Sequence, residues 1–202
     1  LPLEGIPVAI KDEEDIAGQP NSSGSLILKD HIATKTMVDV ERILESGAIV
    51  HTRTTTPEFS CTSFTHSKLW GVTRNPWNLD FTPGGSSGGS GASLAAGCST
   101  LATGSDIGGS IRIPASACGL VGFKPPHGRN PQEAPFNHDQ YCVVGPMARS
   151  VKDCALMQNV MSGPHHKDIT SLKPKLNIPE KFDNIRIVGF YQNNRGIFDY
   201  LH

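Results

Sequence analysis

Three residues of this chain carry groups that could act together in nucleophilic chemistry: Ser110, Ser86 and Lys11. Ser86 lies in the run Pro83-Gly-Gly-Ser-Ser-Gly-Gly-Ser-Gly91, and Ser110 in Gly104-Ser-Asp-Ile-Gly-Gly-Ser-Ile-Arg-Ile-Pro114. Lys11 closes the apolar run Ile6-Pro-Val-Ala-Ile10. A nucleophilic serine needs an accessible hydroxyl and backbone N–H groups aimed at the developing oxyanion. Glycine lets the backbone approach a substrate without a side-chain clash, and a helix that starts at the serine adds a partial positive field. On these grounds Ile107, Gly108 and Gly109, with Ser110 itself, are candidates for an oxyanion site, each donor being worth about 3 kcal/mol of barrier. Lys11 could serve as the base if it is neutral, a state that burial among apolar groups favours.

Each of these features also has an ordinary explanation. Gly108-Gly-Ser110 could be a glycine turn with a serine helix cap, and a lysine after a strand is usually a solvated end. The 84–91 run could be a Gly/Ser linker, but packed-looking aromatic sequence precedes it and the helix-forming Ala92-Ser-Leu-Ala-Ala96 follows it. A phosphate loop is disfavoured because neither GxxxxGK[ST] nor GxGxxG is present. Gly84-Gly-Ser86-Ser-Gly88 also fits the GxSxG elbow of an α/β-hydrolase esterase, which needs an acid and a histidine downstream. Asp139, His165 and His166 are available for those roles.

The elements that must position these groups follow from periodicity and capping. A strand is predicted over 6–10, followed by a polar loop over 12–24. A helix is predicted over 37–46, capped by Thr36 with Asp39, with Met37, Val40, Ile43 and Leu44 on its apolar face and Gly47 at its end. Further strands are predicted at 48–51, 101–104, 119–123 and 185–190. A small-residue helix is expected over 88–96, a second after Ser110, and a third from Ser150, boxed with Asp153, through Met161. Residues 57–83 read as an irregular packed segment and 125–140 as loop. Alternating strands and helices imply an α/β protein with a sheet covered on both faces.

Composition bounds the rest. Lys plus Arg number 18 against 19 Asp plus Glu, so no basic footprint suggests nucleic acid. No apolar run approaches a membrane span. The five cysteines form no CxxC pair, which fits reduced thiols in a cytoplasmic protein. The histidines show no metal-ligand spacing, so no metal site is expected. The chain opens at Leu1 without an initiator methionine and ends soon after the last predicted strand begins. It therefore reads as one domain over 1–202, incomplete at both ends. A homodimer is one assembly left open.

The stretch from Gly84 to Pro114 resembles the defining segment of the amidase signature family, whose pattern GGSSGG…G-S-D-x-G-G-S-I-R-x-P is nearly complete here. The flanks agree: Leu3-Glu-Gly-Ile-Pro-Val-Ala-Ile-Lys-Asp12, Gly71-Val-Thr-Arg-Asn-Pro-Trp77, Gly122-Phe-Lys-Pro125 and Gly145-Pro-Met-Ala-Arg-Ser-Val151. The resemblance covers most of residues 3–162. It implies a mixed sheet covered by helices on both faces, here as a fragment, and a Ser–Ser–Lys triad. Ser110 matches the nucleophile, Lys11 the base, and Ser86, 24 residues before Ser110, the relay. A cis peptide between Gly85 and Ser86 is also implied. Asp106 and Arg112 belong to the pattern and read as a structural ion pair, and Ser87 as a support of the loop.

The implied activity is hydrolysis of a linear carboxylic amide, whether fatty, aryl or short aliphatic, through an acyl-enzyme and without metal or cofactor. A second branch of the family serves as the glutaminase subunit of a tRNA-dependent amidotransferase. Members of that branch usually carry threonine where Ile107 stands, and a different sequence where 127–140 lies. Both departures favour a free-standing amidase. Ile107, Trp70 and Phe81 suggest apolar walls for the substrate.

Overall fold

The computed structural model describes residues 1–134, 136–171, 174, 175 and 177–179, together with the backbone of 188–193 and 196–201. In chain order the elements are β1 (Pro7–Lys11), α1 (Val38–Glu45), β2 (Ile49–Thr54), β3 (His66–Ser67), β4 (Gly71–Val72), α2 (Gly88–Ala95), β5 (Leu101–Asp106), α3 (Arg112–Cys118), β6 (Val121–Gly122), β7 (Val143–Ala148), α4 (Val151–Met161), β8 (Val188–Asn193) and β9 (Gly196–Leu201). Five strands form one sheet in the order β2-β1-β5-β7-β6. β1 runs parallel to β2 and β5, whereas β7 is antiparallel to β5 and β6, so the sheet is mixed. β3–β4 and β8–β9 are separate antiparallel pairs.

The core divides on the two faces of this sheet. Val8, Ile10, Leu101, Val144 and Ala148 pack with Met37, Val40 and Ile43 around α1 and with Cys154, Met157 and Met161 of α4. Ala9, Ala102 and Met147 pack with Leu94 of α2 and with Ile111 and Ala115 around α3. Helices thus cover both faces, the arrangement expected from alternating elements. The second face is thin because its helices are built of small residues. A Cβ on Gly89 would lie 2.4 Å from the backbone of Thr55, and one on Gly91 would meet Pro114 at 3.2 Å. Among the described residues no helix is long and apolar enough to cross a membrane.

Several local expectations are corrected. Thr36 does not cap α1: its hydroxyl accepts the Ala17 N–H at 3.0 Å, and Met37 takes the cap position with no side-chain bond. Leu44 leaves the apolar face and is exposed, while Val38 is buried. The strands at 48–51 and 101–104 extend to Thr54 and Asp106. Segment 57–83 holds the β3–β4 hairpin and exposes Phe64, Trp70, Trp77 and Phe81. β7 had no sequence signal, because Gly145-Pro146 reads as a strand breaker. Pro146 nonetheless pairs opposite Thr103 on β5, and its carbonyl accepts the Phe123 N–H at 3.1 Å. The Ser150 cap of α4 is made, with the hydroxyl accepting from Asp153 N at 3.1 Å. Of the strand predicted at 185–190, residues 185–187 lie outside the described residues and 188–190 belong to β8.

Candidate active site

β1 and β5 are parallel neighbours, and their carboxyl ends carry Lys11 and Asp106. Crevices beyond the carboxyl ends of parallel strands are where α/β sheets hold ligands. A cavity of about 720 Å³ opens there, and Ser86, Ser105, Ser110, Ile107, Gly108 and Glu13 are among the residues that line it.

Lys11 is fully buried. Its Nζ donates to Ser86 Oγ at 2.8 Å and to Ser105 Oγ at 2.9 Å, and lies 3.1 Å from Glu13 Oε1. Ser86 follows a cis peptide at Gly85–Ser86, as the family resemblance implied. Thr65 fastens this loop: its hydroxyl donates to the Gly84 carbonyl at 2.9 Å and accepts the Gly88 N–H at 3.0 Å. Gly85 has no room for a side chain, since a Cβ would meet the Phe64 backbone at 2.7 Å.

Ser110 is half-buried on the same cavity wall. The Ser87 N–H donates to the Ser110 carbonyl at 3.1 Å, and the Ser87 hydroxyl accepts from Ser105 N at 3.3 Å. Ser87 therefore ties the 86–88 loop to both β5 and the Ser110 turn. Among the described residues no hydrogen bond joins the Ser86 and Ser110 hydroxyls.

Asp106 organises the turn before α3. Its carboxylate accepts the N–H groups of Gly109 (2.7 Å), Ile111 (3.2 Å) and Arg112 (3.3 Å). The Arg112 guanidinium adds a bidentate pair, with Nε and a terminal nitrogen each at 2.9 Å. Burial pushes the Asp106 carboxyl up, but the Arg112 hydrogen bonds, the Gly109 N–H and the Arg112 charge outweigh it and hold the carboxyl at about 2. This arrangement corrects one sequence expectation: the Gly109 N–H is already committed to Asp106. The N–H groups of Ile107, Gly108 and Ser110 have no partner among the described residues.

A folded-state value below the ordinary carboxylate range contributes stability at neutral pH that is lost as pH falls from about 4 towards 2. Asp106→Ala would strand the N–H groups of Gly109, Ile111 and Arg112, whereas the Arg112 guanidinium is more than half exposed and stays solvated. It should cost on the order of 3 kcal/mol. Denaturant unfolding at pH 7 and pH 3 checks this, because the difference between variant and wild type should shrink at the lower pH.

Sequence reasoning missed Glu13, Ser105, Thr65 and Lys124. The Lys124 Nζ donates to the carbonyls of Ile107 (3.0 Å) and Tyr141 (2.8 Å) and sits 3.3 Å from Asp106 Oδ1. It was visible in Gly122-Phe-Lys-Pro125, but nothing in that motif assigned it a contact. Of the apolar walls expected, Ile107 faces the cavity, whereas Trp70 and Phe81 do not line it. The Trp70 indole instead donates to Asp12 and Ser22. The elbow reading loses its histidine: Asp139 lines the cavity, but among the described residues no histidine does. Among those residues no cluster of His, Cys, Asp or Glu could hold a metal ion.

A family model described as Amidase matches residues 1–193. The A-type subunit of the glutamyl-tRNA(Gln) amidotransferase of Methanosarcina barkeri is 43% identical over 175 residues, which is 86% of this chain and 37% of that protein. The chain therefore spans little more than a third of the length of the curated relatives it matches. Among solved structures, the A-type subunit of the glutamyl-tRNA(Gln) amidotransferase of Thermotoga maritima aligns with a TM-score of 0.78 at 35% identity, covering 86% of this chain and 40% of that one. A bacterial aryl acylamidase of the amidase signature family aligns with a TM-score of 0.82 at 36% identity, covering 86% and 37%.

Proposed function

The chain belongs to the amidase family, and from that premise we propose that it hydrolyses a small linear amide to a carboxylic acid and ammonia or an amine through an acyl-enzyme on Ser110. On this reading residues 1–202 form part of a single amidase domain. The observation that carries the proposal is the buried Lys11–Ser86 hydrogen bond of 2.8 Å at the edge of the cavity that Ser110 lines.

Neutral Lys11 takes the Ser86 proton while Ser86 takes the Ser110 proton. The Ser110 Oγ forms a bond to the amide carbon, and the carbonyl electron pair becomes an oxyanion that accepts from the free N–H groups of Ile107, Gly108 and Ser110. Collapse of this intermediate breaks the C–N bond, and the proton returns through Ser86 to the departing amine. Water then attacks the ester by the same path and releases the acid and the serine. This is triad logic with lysine as base, recognised by roles and geometry.

Fluorophosphonate labelling with peptide mapping tests the assignment. A label on Ser110 that is lost in Lys11→Ala is the expected result. A label on Ser86 instead, or none on folded protein, would overturn it.

The names of the curated relatives support a second reading, in which the chain is part of the glutaminase subunit of a tRNA-dependent amidotransferase. Ile107 and the 127–140 sequence weigh against it. Amide hydrolysis by the protein alone favours the first reading. Ammonia release from glutamine only in the presence of further subunits favours the second.

A further inference from the structure

Lys11 is completely buried, and the Glu13 carboxylate lies 3.1 Å from its Nζ. The Glu13 side chain is itself only 10% exposed. The Ser60 hydroxyl donates to its Oε2 and is paired in turn with Thr56 Oγ1 at 2.9 Å. Ser60 reaches Glu13 from a turn in which both Phe59 and Ser60 take left-handed conformations, at φ 50° and 57°. Such conformations cost free energy in residues other than glycine and persist where surrounding contacts require them. Burial pushes the Glu13 carboxyl up, but the Lys11 charge and hydrogen bonds from Ser105, Ser60 and Lys11 outweigh it and keep the group ionised.

We propose that Glu13 is a positioning residue of the relay, whose carboxylate holds the Lys11 amino group against Ser86 and sets, by its charge, the pH at which the relay turns on. The inference rests on the function proposed above. The carboxylate contact and the hydrogen bonds to Ser86 and Ser105 together fix the place of the Lys11 Nζ, so a change of charge at Glu13 acts directly on the group that begins the relay.

Other charged groups surround this pair. Asp12 and Glu14 flank Glu13 in the chain, and Asp39 approaches from α1 and Arg53 from β2. Asp139 and Cys142 line the same cavity, and Lys124 stands beside the Asp106 carboxylate. Among the described residues only Glu13 forms an ion pair with Lys11. Burial and the Asp39 charge raise the Glu14 carboxyl, and burial with a smaller push from the Glu13 charge raises Asp39 to about 6, so this pair could itself shape an acidic limb.

The test is the pH dependence of Ser110 labelling by a fluorophosphonate on the full chain, in wild type and Glu13→Gln. The onset of labelling should move to lower pH in the variant, because one negative charge in contact with the relay is lost. The same shift should appear when Glu13→Gln is made in an Asp39→Asn background, which removes the neighbouring carboxyl pair. Glu13→Asp, which keeps the charge, should retain an onset near that of wild type. Ser60→Ala, which frees one side of the carboxylate, gives an independent readout should Glu13→Gln fold poorly, and its onset should also move. An unmoved onset in folded Glu13→Gln or Ser60→Ala, or a shift that vanishes in the Asp39→Asn background, would overturn the role of Glu13 and leave the Ser110 assignment intact. Absence of Ser110 labelling in the wild type would instead overturn the proposed function.

Discussion

Replacing Ser110 with alanine should abolish amide turnover while leaving the fold intact. The reaction as proposed has a single nucleophile, and removing the nucleophilic serine of a triad lowers kcat by roughly 10⁴–10⁶. What survives is the contribution of substrate binding and of the oxyanion donors. The stability side of the expectation comes from the local contacts. The Ser110 side chain makes no hydrogen bond among the described residues, and the turn is held by backbone groups instead. The Ser110 carbonyl accepts from Ser87 N, and the N–H groups on both sides of Ser110 donate to Asp106. Deleting one oxygen from a half-buried position with no partner should change stability by no more than about 0.5 kcal/mol. Steady-state hydrolysis of an amide and a thermal melt of the same preparation check both halves. Retained activity in a folded Ser110→Ala would remove Ser110 from the chemistry.

The sequence carried the architecture further than the wiring. Alternating apolar runs and capped helices indicated a sheet covered on both faces, and the packing of Val8 and Ile10 against one helix pair and Ala9 against the other has that form. β7 escaped because Gly145 and Pro146 break strands when only local propensity is considered. What admits them is pairing on both sides, with β5 and with β6, and such pairing is not a local property. Lys11, Ser86 and Ser110 were legible as residues because glycine-walled serines and a strand-end lysine are unusual company. Their separation along the chain did not show that Lys11 would touch Ser86 and Ser105 while Ser110 stood apart from Ser86. That follows from the pairing of β1 with β5 and from the turn held by Asp106.

Glu13 was hidden for a different reason. Asp12-Glu-Glu-Asp15 looks like a solvated acidic loop, yet Asp12 and Glu14 are buried and Glu13 nearly so. The partners that make burial tolerable come from distant segments: Lys11 and Ser60 for Glu13, Ser22 and Trp70 for Asp12. A charge run in sequence specifies what must be compensated but not what compensates it. The same limit applies to Gly109, which reads as a donor to substrate because glycine turns suit that role. Only the position of the Asp106 carboxylate, three residues earlier, reveals that its N–H is already used.

Lys11→Ala should lower activity at neutral pH by roughly 10²–10⁴, the usual contribution of a positioned general base. Part of the loss should be regained at high pH, where hydroxide can substitute for the missing amine. The stability of this variant separates the base from its neighbour. Removing the Lys11 amino group leaves the Glu13 carboxylate nearly buried beside Ser60 with no partner at 3.1 Å. Breaking a buried ion pair from one side costs about 3–5 kcal/mol. Glu13→Gln in the same protein removes the stranded charge, so Lys11→Ala/Glu13→Gln should recover most of that stability and none of the activity. A double-mutant cycle on unfolding free energy should then give a large coupling, and in the activity cycle Glu13→Gln should have an effect only where Lys11 is present, as expected of a residue that works through Lys11. If the double variant instead regained turnover, Lys11 would be in the site only to neutralise Glu13, and the base would have to be sought elsewhere on the cavity wall.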